Sequence, residues 1–581
     1  MLHKKRIKQK QFKAKNSRSK SIKKQTPLEK MLKITTLCLY LCIILVYELL
    51  FCNYKFILSE GNYNFSIFRI VIYIVVIILY FMFSKKMIQQ TIETFDSKFK
   101  KYTALIYYIS ALAIFIFLLI RVDFIALPKL ALYLIAILMG AIFITYVQRD
   151  YIRNMILVSA TFGVVFAIST DLNHPYDEVR HFLSAFNVSV GNLDFEEYKM
   201  DEQLEQIPLN SSYLEIYKFF EKDYDVNLQE QVDKSNFVYS PAPYSFIIYL
   251  FSGFGIFLAN ILGGSLADIY IAGRIGNLIL YTILTIIALK LLPFKKQTFT
   301  AIFMIPMILC LAASYSIDGV CVGLVSIFIA YCLKLYESKK VLTLKDVVLL
   351  AICFIALLLA KSMAYICVAL VVLILPIKET IKQNKKYIPA MVVVFLLLVI
   401  CTVFGICYVK ETKVVDDPRS GSNVSEQIEY CIKKPLKVIQ ILGNHTVSKL
   451  FSPDWIKVIN SEALFGGYST FVFMFLITLL IYISILDDSK KFDIKEKIIF
   501  AISFLAVFGM TSIVLYLSFT KVGSDKIAGY QVRYLFPIIS LIFMGMNLKN
   551  VSVKKSKNTV MILTILSNII VFMDLLLLIK K

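Results

Sequence analysis

The sequence has few charged residues for its length and lacks the motifs of most enzyme classes. Only 18% of its 581 residues are charged, whereas 58% are hydrophobic. A soluble chain of this size needs far more polar surface to cover its core. The chain has four histidines, and none of its eleven cysteines forms a CxxC pair. It also has no Walker loop, dinucleotide fingerprint, HExxH or GxSxG motif. These absences argue against ATP coupling, zinc-finger sites and α/β-hydrolase chemistry.

What the sequence does contain is a long series of apolar runs separated by short charged connectors. Each run approaches the length that a helix needs to cross a hydrocarbon core of about 30 Å. We therefore predict an all-α polytopic integral membrane protein with about 14–16 transmembrane helices. The runs are 34–54, 66–83, 103–120, 124–147, 155–170, 243–262, 267–292, 298–313, 319–336, 346–360, 363–377, 388–408, 469–486, 497–518, 532–547 and 558–579.

The formal charge is +23, and the positions of the Lys and Arg residues predict the orientation of the chain in the membrane. Residues 1–33 hold thirteen Lys/Arg and one Glu, which is typical of a cytoplasmic tail near anionic lipids and not of a nucleic-acid site. The loop 171–240 has fifteen Asp/Glu against five Lys/Arg, so we place it outside. The later basic connectors, beginning with Lys295–Lys296, fall inside only if 243–262 lies at the interface or re-enters. This arrangement gives about fifteen spans.

The apolar runs and the charge of their connectors together divide the chain into four parts. Residues 1–33 form the basic tail and 34–150 an N-terminal four-helix membrane region. Residues 155–547 form the membrane core, with outer loops 171–240 and 409–468, and 548–581 form a C-terminal transmembrane helix. We expect no cleavable signal peptide, a multi-pass location in the plasma membrane, and a functional face outside the cytoplasm.

The densest polar segment is STDLNHPYDEVRHFLSAFNV, residues 169–188, at the end of the fifth run. Pro175 suits a first helical turn, after which Asp177 or Glu178 would share one side with His181. Acidic residues in a first turn also stabilise a helix dipole without any other function. As a functional site, these three residues are candidate catalytic groups, with a carboxylate acting as general base or helping to hold a divalent cation.

The remaining unusual polar residues fall at the predicted outer ends of later runs, where cations would suit a phosphate-bearing lipid. Each also has a plainer interpretation as an interfacial anchor, a structural ion pair or a snorkelling side chain. The candidate substrate-binding residues are Tyr239, Tyr244, Arg274, Asn277, Asp318, Lys361, Arg533 and Tyr534.

The string HPYDEVRHFLSAF resembles the P-x-D-E-x-x-H-F segment of a large bacterial family of multi-pass membrane proteins. SPAPYSFIIY, AGRIGN, SIDG, AKSMAY and VRYLFP follow in the order that this family shows. The family is itself similar to GT-C glycosyltransferases, including protein mannosyltransferases and the aminoarabinose transferase. The resemblance covers about residues 155–547 and implies a GT-C-like helical bundle.

The resemblance implies a polyprenyl-phosphate-linked sugar as donor and an envelope glycan, lipid or protein as acceptor. Asp177 or Glu178 would deprotonate the acceptor hydroxyl, and His181 would orient that carboxylate or the sugar. We assign Arg274, Lys361 and Arg533 to the donor phosphate from charge and topology. Such an enzyme needs no nucleotide and would invert the anomeric carbon. Its metal dependence stays open.

Two other functions fit a membrane protein of this kind. A transporter or flippase for lipid-linked precursors also buries charges, but near the bilayer midplane and commonly on repeated halves. A polysaccharide polymerase would also carry a large external loop, for which arginine-rich sequence would be typical. The acidic loop 171–240 and the charges at helix ends favour the glycosyltransferase.

Overall fold

The computed structural model describes residues 27–95, 127–146, 150–172, 177–193, 244–376, 422–451, 470–487 and 489–546, with a few isolated positions between them. These ranges are helical and contain no β-strand. In chain order the helices are α1 (Pro27–Leu45), α2 (Tyr54–Ile57), α3 (Ile67–Phe95), α4 (Leu127–Tyr146), α5 (Tyr151–Val158), α6 (Val164–Ser169), α7 (Glu178–Ser189), α8 (Leu250–Ile261), α9 (Leu266–Leu291), α10 (Lys296–Phe303), α11 (Pro306–Ala312), α12 (Asp318–Ser338), α13 (Leu344–Lys361), α14 (Val424–Lys433), α15 (Pro435–Leu450), α16 (Thr470–Leu486), α17 (Ile494–Ser518) and α18 (Ile539–Gly545). Wider π-helical turns occupy Val46–Cys52 and Ser159–Gly163, and 3-10 turns occupy Phe246–Tyr249, Ser362–Ile374 and Val532–Ile538.

The described part of the chain contains seven helices that are long and apolar enough to cross a membrane. The protein is therefore an all-α polytopic membrane protein, as the hydropathy pattern predicts. The predicted runs 103–120, 388–408 and 558–579 lie outside the described residues, so the total number of spans stays a prediction. The seven helices are Leu32–Cys52, Ile67–Ser84, Leu127–Tyr146, Tyr151–Ser169, Leu266–Leu291, Asp318–Ser338 and Ile494–Ser518.

Some apolar runs do not form single α-helices. The predicted run 298–313 is two short helices, α10 and α11, that meet before Pro306. Proline has no N–H to donate and disfavours helical geometry in the residue before it, so the helix breaks there. The run 532–547 likewise begins as a 3-10 turn around Pro537 and becomes α-helical only from Ile539.

Helix α8 packs antiparallel against the first half of α9, through glycines that allow the two backbones to touch. A Cβ on Gly255 would lie 2.3 Å from the carbonyl oxygen of Ala272, and one on Gly276 would lie 2.1 Å from that of Phe251. With its preceding 3-10 turn, α8 has 16 residues, Phe246–Ile261, fewer than the roughly 20 that span a bilayer. The interfacial or re-entrant position of 243–262 stays a prediction.

The bundle has two polar ends. At one end, Thr298 donates from its N–H and its hydroxyl to Asp487, at 3.0 and 2.9 Å, and the Lys295 ammonium donates to the Asp487 carbonyl. The connectors predicted to share the cytoplasmic side therefore meet here. Arg274 lies 17 residues before the end of α9, about 26 Å along the helix axis and close to the hydrocarbon thickness of a bilayer. It marks the opposite end, which we call the site end.

Buried charges also join the N-terminal helices to α9. The Arg69 guanidinium on α3 donates to Glu48 at 2.9 Å and to Asp268 at 3.0 Å. Asp268 in turn caps the start of α9, because it accepts from the Ser265 backbone N–H and hydroxyl. The N-terminal region is thus attached to the core by ion pairs as well as by apolar packing.

Candidate active site

The polar segment at the site end turns sharply between α6 and α7. Asp177 immediately precedes α7 and has φ +64°, a left-handed conformation that L-residues rarely adopt. Such backbone strain costs about 1–3 kcal/mol and clusters at functional sites. The turn separates two neighbouring carboxylates, since the Asp177 side chain is 49% exposed and that of Glu178 is fully buried. His174 lies outside the described residues.

Glu178 and Arg274 form a fully buried bidentate ion pair. The Arg274 Nε and Nη2 atoms donate to the two carboxylate oxygens at 2.9 and 2.8 Å. Its other donors reach the carbonyls of Ala167, Thr170 and Asp171, where α6 ends. All five N–H groups of the guanidinium are therefore occupied by the protein.

This ion pair corrects two of the predicted roles. A carboxylate without exposure and paired to arginine cannot reach an acceptor hydroxyl, so Glu178 is not a suitable base. Arg274 has no donor left for a phosphate. The Tyr315 backbone N–H also donates to Glu178 at 3.2 Å, so the pair fixes the turn before α12. Both residues join elements of the candidate site to one another.

A second set of charges forms a continuous chain that reaches the surface. Arg533 Nη2 donates to Asp177 Oδ2 at 3.0 Å, and Arg533 Nε lies 3.3 Å from Asp318 Oδ2. The Lys361 ammonium pairs with the other oxygen of Asp318. Asp318 and Arg533 are almost fully buried, Lys361 is 13% exposed at its side chain, and Asp177 is half-exposed. We call Asp177, Arg533, Asp318 and Lys361 the charge chain.

Each member of the charge chain lies at a helix end. Asp177 precedes α7, Asp318 begins α12 and Lys361 ends α13, while Arg533 lies in the 3-10 turn before α18. Apolar helix interiors provide no partners for charge, so these side chains meet where four elements terminate. Asn277 supports the arrangement by donating to the carbonyls of Ser314 and Ser316, at 2.7 and 2.9 Å. Both N–H groups of its amide therefore hold the turn before Asp318.

Aromatic residues cover the inner side of the charge chain. The Lys361 ammonium lies 4.2 Å from the centre of the Tyr534 ring, a cation–π geometry. Tyr365, which the sequence analysis did not select, donates to the Tyr534 carbonyl at 3.2 Å. Tyr365 lies within an apolar run, where hydropathy alone indicates a core residue. Tyr239 lies outside the described residues.

His181 is buried between two tyrosines. Its Nδ1 lies 2.7 Å from the Tyr249 hydroxyl, and its ring stacks on Tyr244 with centroids 5.9 Å apart. Burial lowers the pKa of His181 to about 3, so the imidazole is neutral at physiological pH. The expectation that His181 orients the catalytic carboxylate is not supported, because its described hydrogen bond is to Tyr249. Tyr249 was missed because it follows two isoleucines in an apolar run.

No cluster of three or more His, Cys, Asp or Glu side chains suited to a metal occurs among the described residues. The two carboxylates of the charge chain, Asp177 and Asp318, already share Arg533 as a counter-ion. A divalent cation stays a prediction without a described set of ligands.

The site falls within the part of the chain that matches a known family model. Residues 160–542 match the model of the predicted membrane protein family DUF2142. The chain belongs to the DUF2142 family. No curated protein and no solved structure matches it. The DUF2142 match includes the whole charge chain and the Glu178–Arg274 pair, and it leaves α1 to α5 outside.

Proposed function

We propose that this DUF2142 protein is a glycosyltransferase. It would move a sugar from a polyprenyl phosphate to an acceptor hydroxyl of the cell envelope, at the outer face of the plasma membrane. The observation that carries the proposal is the charge chain. It brings the half-exposed carboxylate of Asp177 together with the cations Arg533 and Lys361 at the site end of the bundle. A base and phosphate-binding cations are the groups that such a transfer needs.

In the proposed reaction, Asp177 accepts the proton of the acceptor hydroxyl as its oxygen attacks the anomeric carbon. The bond from that carbon to the phosphate oxygen breaks, and the lipid phosphate leaves with the bonding electrons. Arg533 and Lys361 stabilise the negative charge of the leaving phosphate. Attack from the face opposite the phosphate inverts the anomeric carbon.

The ion pair between Arg533 and Asp177 suggests how donor binding prepares the base. Arg533 donates to Asp177 at 3.0 Å. A phosphate next to the guanidinium competes for the same donor and so releases the Asp177 carboxylate to accept a proton. Asp318 keeps both cations in place throughout, because its two oxygens pair with Lys361 and Arg533 separately.

The position of the charges favours an enzyme over a transporter or flippase. Transporters place their binding residues near the bilayer midplane, commonly at breaks in spanning helices. Here Asp318 and Lys361 are the first and last residues of their helices. A polymerase of lipid-linked polysaccharide precursors would use the same outer face, and the acceptor distinguishes it from a transferase that adds one sugar.

The test uses full-length protein in proteoliposomes with a panel of labelled polyprenyl-phosphate sugars and envelope extract as acceptor. Asp177→Asn should lower transfer by about 10²-fold or more, the contribution of a positioned general base. Asp525→Asn is the control, since Asp525 is an exposed carboxylate that pairs with Lys437 outside the charge chain.

Polyprenyl phosphate itself provides a second measurement. It should bind Asp177→Asn at least as tightly as wild type, because the carboxylate that competes for Arg533 is gone, and Arg533→Gln more weakly. Full transfer by Asp177→Asn, with normal folding, would contradict the assignment of the base. Transfer from none of the donors by wild-type protein, together with no binding of polyprenyl phosphate, would contradict the proposed function.

A further inference from the structure

The helices of the second outer segment, α14 and α15, expose a continuous apolar strip. Ile432, Leu436, Ile439 and Val447 are 75%, 81%, 65% and 60% exposed, and Phe451 just beyond α15 is 70% exposed. Within α15, Leu436, Ile439 and Val447 are three and eight residues apart, so they follow one side of that helix, and Ile432 precedes them on α14. In water, a contiguous apolar surface of this kind is unusual.

The opposite side of the same helices is attached to the end of a membrane span. Ile441 of α15 packs in a small core with Tyr516 and Ile527, and Tyr516 lies in the last turn of α17. Gln427 of α14 accepts a hydrogen bond at 2.9 Å from the backbone N–H of Gly523, just beyond α17. These contacts fix α14 and α15 at the site end of the bundle, where α17 leaves the hydrocarbon region.

Charged and polar residues border the strip. Residues 422–451 contain four lysines, Lys433, Lys434, Lys437 and Lys449, against two acidic residues, Glu426 and Glu429. In helical projection Lys437 falls on the exposed side of α15 near the strip, whereas Lys449 falls between Val438 and Leu442, on the side that packs on the protein. An apolar face flanked by lysines is the pattern of a helix that lies in a membrane surface, where lysine ammonium groups reach lipid phosphates.

We propose that α14 and α15 form an interfacial membrane anchor whose apolar strip lies among the lipid head groups and upper acyl chains at the site end. The occupant of the strip is the lipid bilayer, because the end of α17 brings the strip to the membrane surface. The excess of lysine selects anionic lipids. This segment, predicted as part of the outer loop 409–468, is therefore membrane-bound rather than free in water.

The anchor has a direct path to the candidate active site. His445, on the protein-facing side of α15, packs against Tyr530 with ring centroids 5.1 Å apart. Tyr530 in turn contacts Tyr534, the ring that covers Lys361. These rings connect α15 to the wall of the site.

The anchor can be tested by fluorescence because Trp455 is the only tryptophan. In a full-length Trp455→Phe background, Ile439→Trp places the probe in the strip. Asn444→Trp places it on the polar flank of the same helix. Each variant is reconstituted in vesicles of phosphatidylcholine and phosphatidylglycerol, with brominated lipid or aqueous iodide as quencher.

Brominated lipid should quench Ile439→Trp at least about twofold more than Asn444→Trp, and iodide should show the reverse order. Bromines near the head group should quench more than bromines near the chain end, which distinguishes an interfacial helix from a spanning one. Replacing phosphatidylglycerol by phosphatidylcholine, or Lys434 and Lys437 by Gln, should weaken the lipid quenching. Equal quenching of both variants by lipid would overturn the proposal. Shielding of Ile439→Trp from both quenchers would overturn it too, because the strip would then contact protein.

Discussion

Two adjacent carboxylates at the candidate active site have different surroundings. Asp177 precedes α7 in a left-handed conformation and is half-exposed, whereas Glu178 begins the helix and is enclosed by Arg274. A single peptide unit thus separates a group that can meet a substrate from one that holds elements together. The sequence alone does not distinguish Asp177 from Glu178. What separates them is the backbone conformation at Asp177, which depends on the surrounding fold.

At the same scale, the neutral His181 predicts a dependence of stability on pH. Burial depresses its pKa in the folded protein to about 3, below the ordinary value near 6.5. The unfolded chain therefore binds a proton that the folded chain rejects, and stability falls as pH decreases below about 6.5. Between about pH 7.5 and about pH 5.5, the proton uptake of unfolded His181 should lower the free energy of unfolding by about 1 kcal/mol.

The measurement compares unfolding of wild type and His181→Gln in detergent at the two pH values. His181→Gln keeps a group that can hydrogen-bond to Tyr249 and removes the titration. Wild type should lose about 1 kcal/mol more than the variant over this pH interval. His445, whose pKa burial also lowers, to about 4, is present in both proteins and cancels. Equal losses would mean that His181 is not held neutral.

At the scale of elements, the Glu178–Arg274 pair joins α7, α9 and the end of α6. Removing one partner leaves the other charge buried without compensation, which costs about 3–5 kcal/mol. We expect Glu178→Gln to lower stability by this amount and Glu178→Gln with Arg274→Gln to be less damaging than Glu178→Gln alone. Unfolding in detergent provides the measurement.

The control for this pair is Glu429→Gln, which breaks the exposed ion pair with Lys433 on α14. Exposed pairs contribute little, so its unfolding should stay close to that of wild type. A double variant that is less stable than Glu178→Gln alone would show that the arginine's contacts with the α6 carbonyls matter more than its pairing with Glu178.

At the scale of the whole molecule, hydropathy and charge placement predict the membrane spans and the end at which the charged residues lie. They do not predict the contacts of individual side chains. Long apolar runs indicate spanning helices because backbone N–H and C=O groups in a bilayer must pair with each other, and a helix satisfies them all within one segment. Counting spans against basic connectors also predicted that Asp177, Asp318, Lys361 and Arg533 share one end, and the structure brings them into contact. The sequence analysis treated 298–313 and 532–547 as uninterrupted runs and did not predict the breaks at Pro306 and Pro537. Which cation pairs with which carboxylate could not be predicted, since pairing depends on packing between helices distant in sequence.

The N-terminal region offers a prediction at this scale. Arg69→Met leaves Glu48 and Asp268 without their arginine and should loosen the start of α9. Hydrogen exchange should rise at the backbone amides of residues 265–270 and stay unchanged in α10. The control is Lys290→Met, at the opposite end of α9, which should leave residues 265–270 as in wild type. Unchanged exchange in Arg69→Met would show that apolar packing alone holds the two regions together.

The sharing of one buried aspartate by two cations has an evolutionary consequence. Asp318 neutralises both Lys361 and Arg533, and Asp177 completes the balance at the surface. A lineage that loses any one of these charges carries an uncompensated ion until a second change follows. We therefore expect descendants of this protein to keep positions 177, 318, 361 and 533 together or to replace them in matched pairs. Single replacements should be the rarest kind among functional relatives.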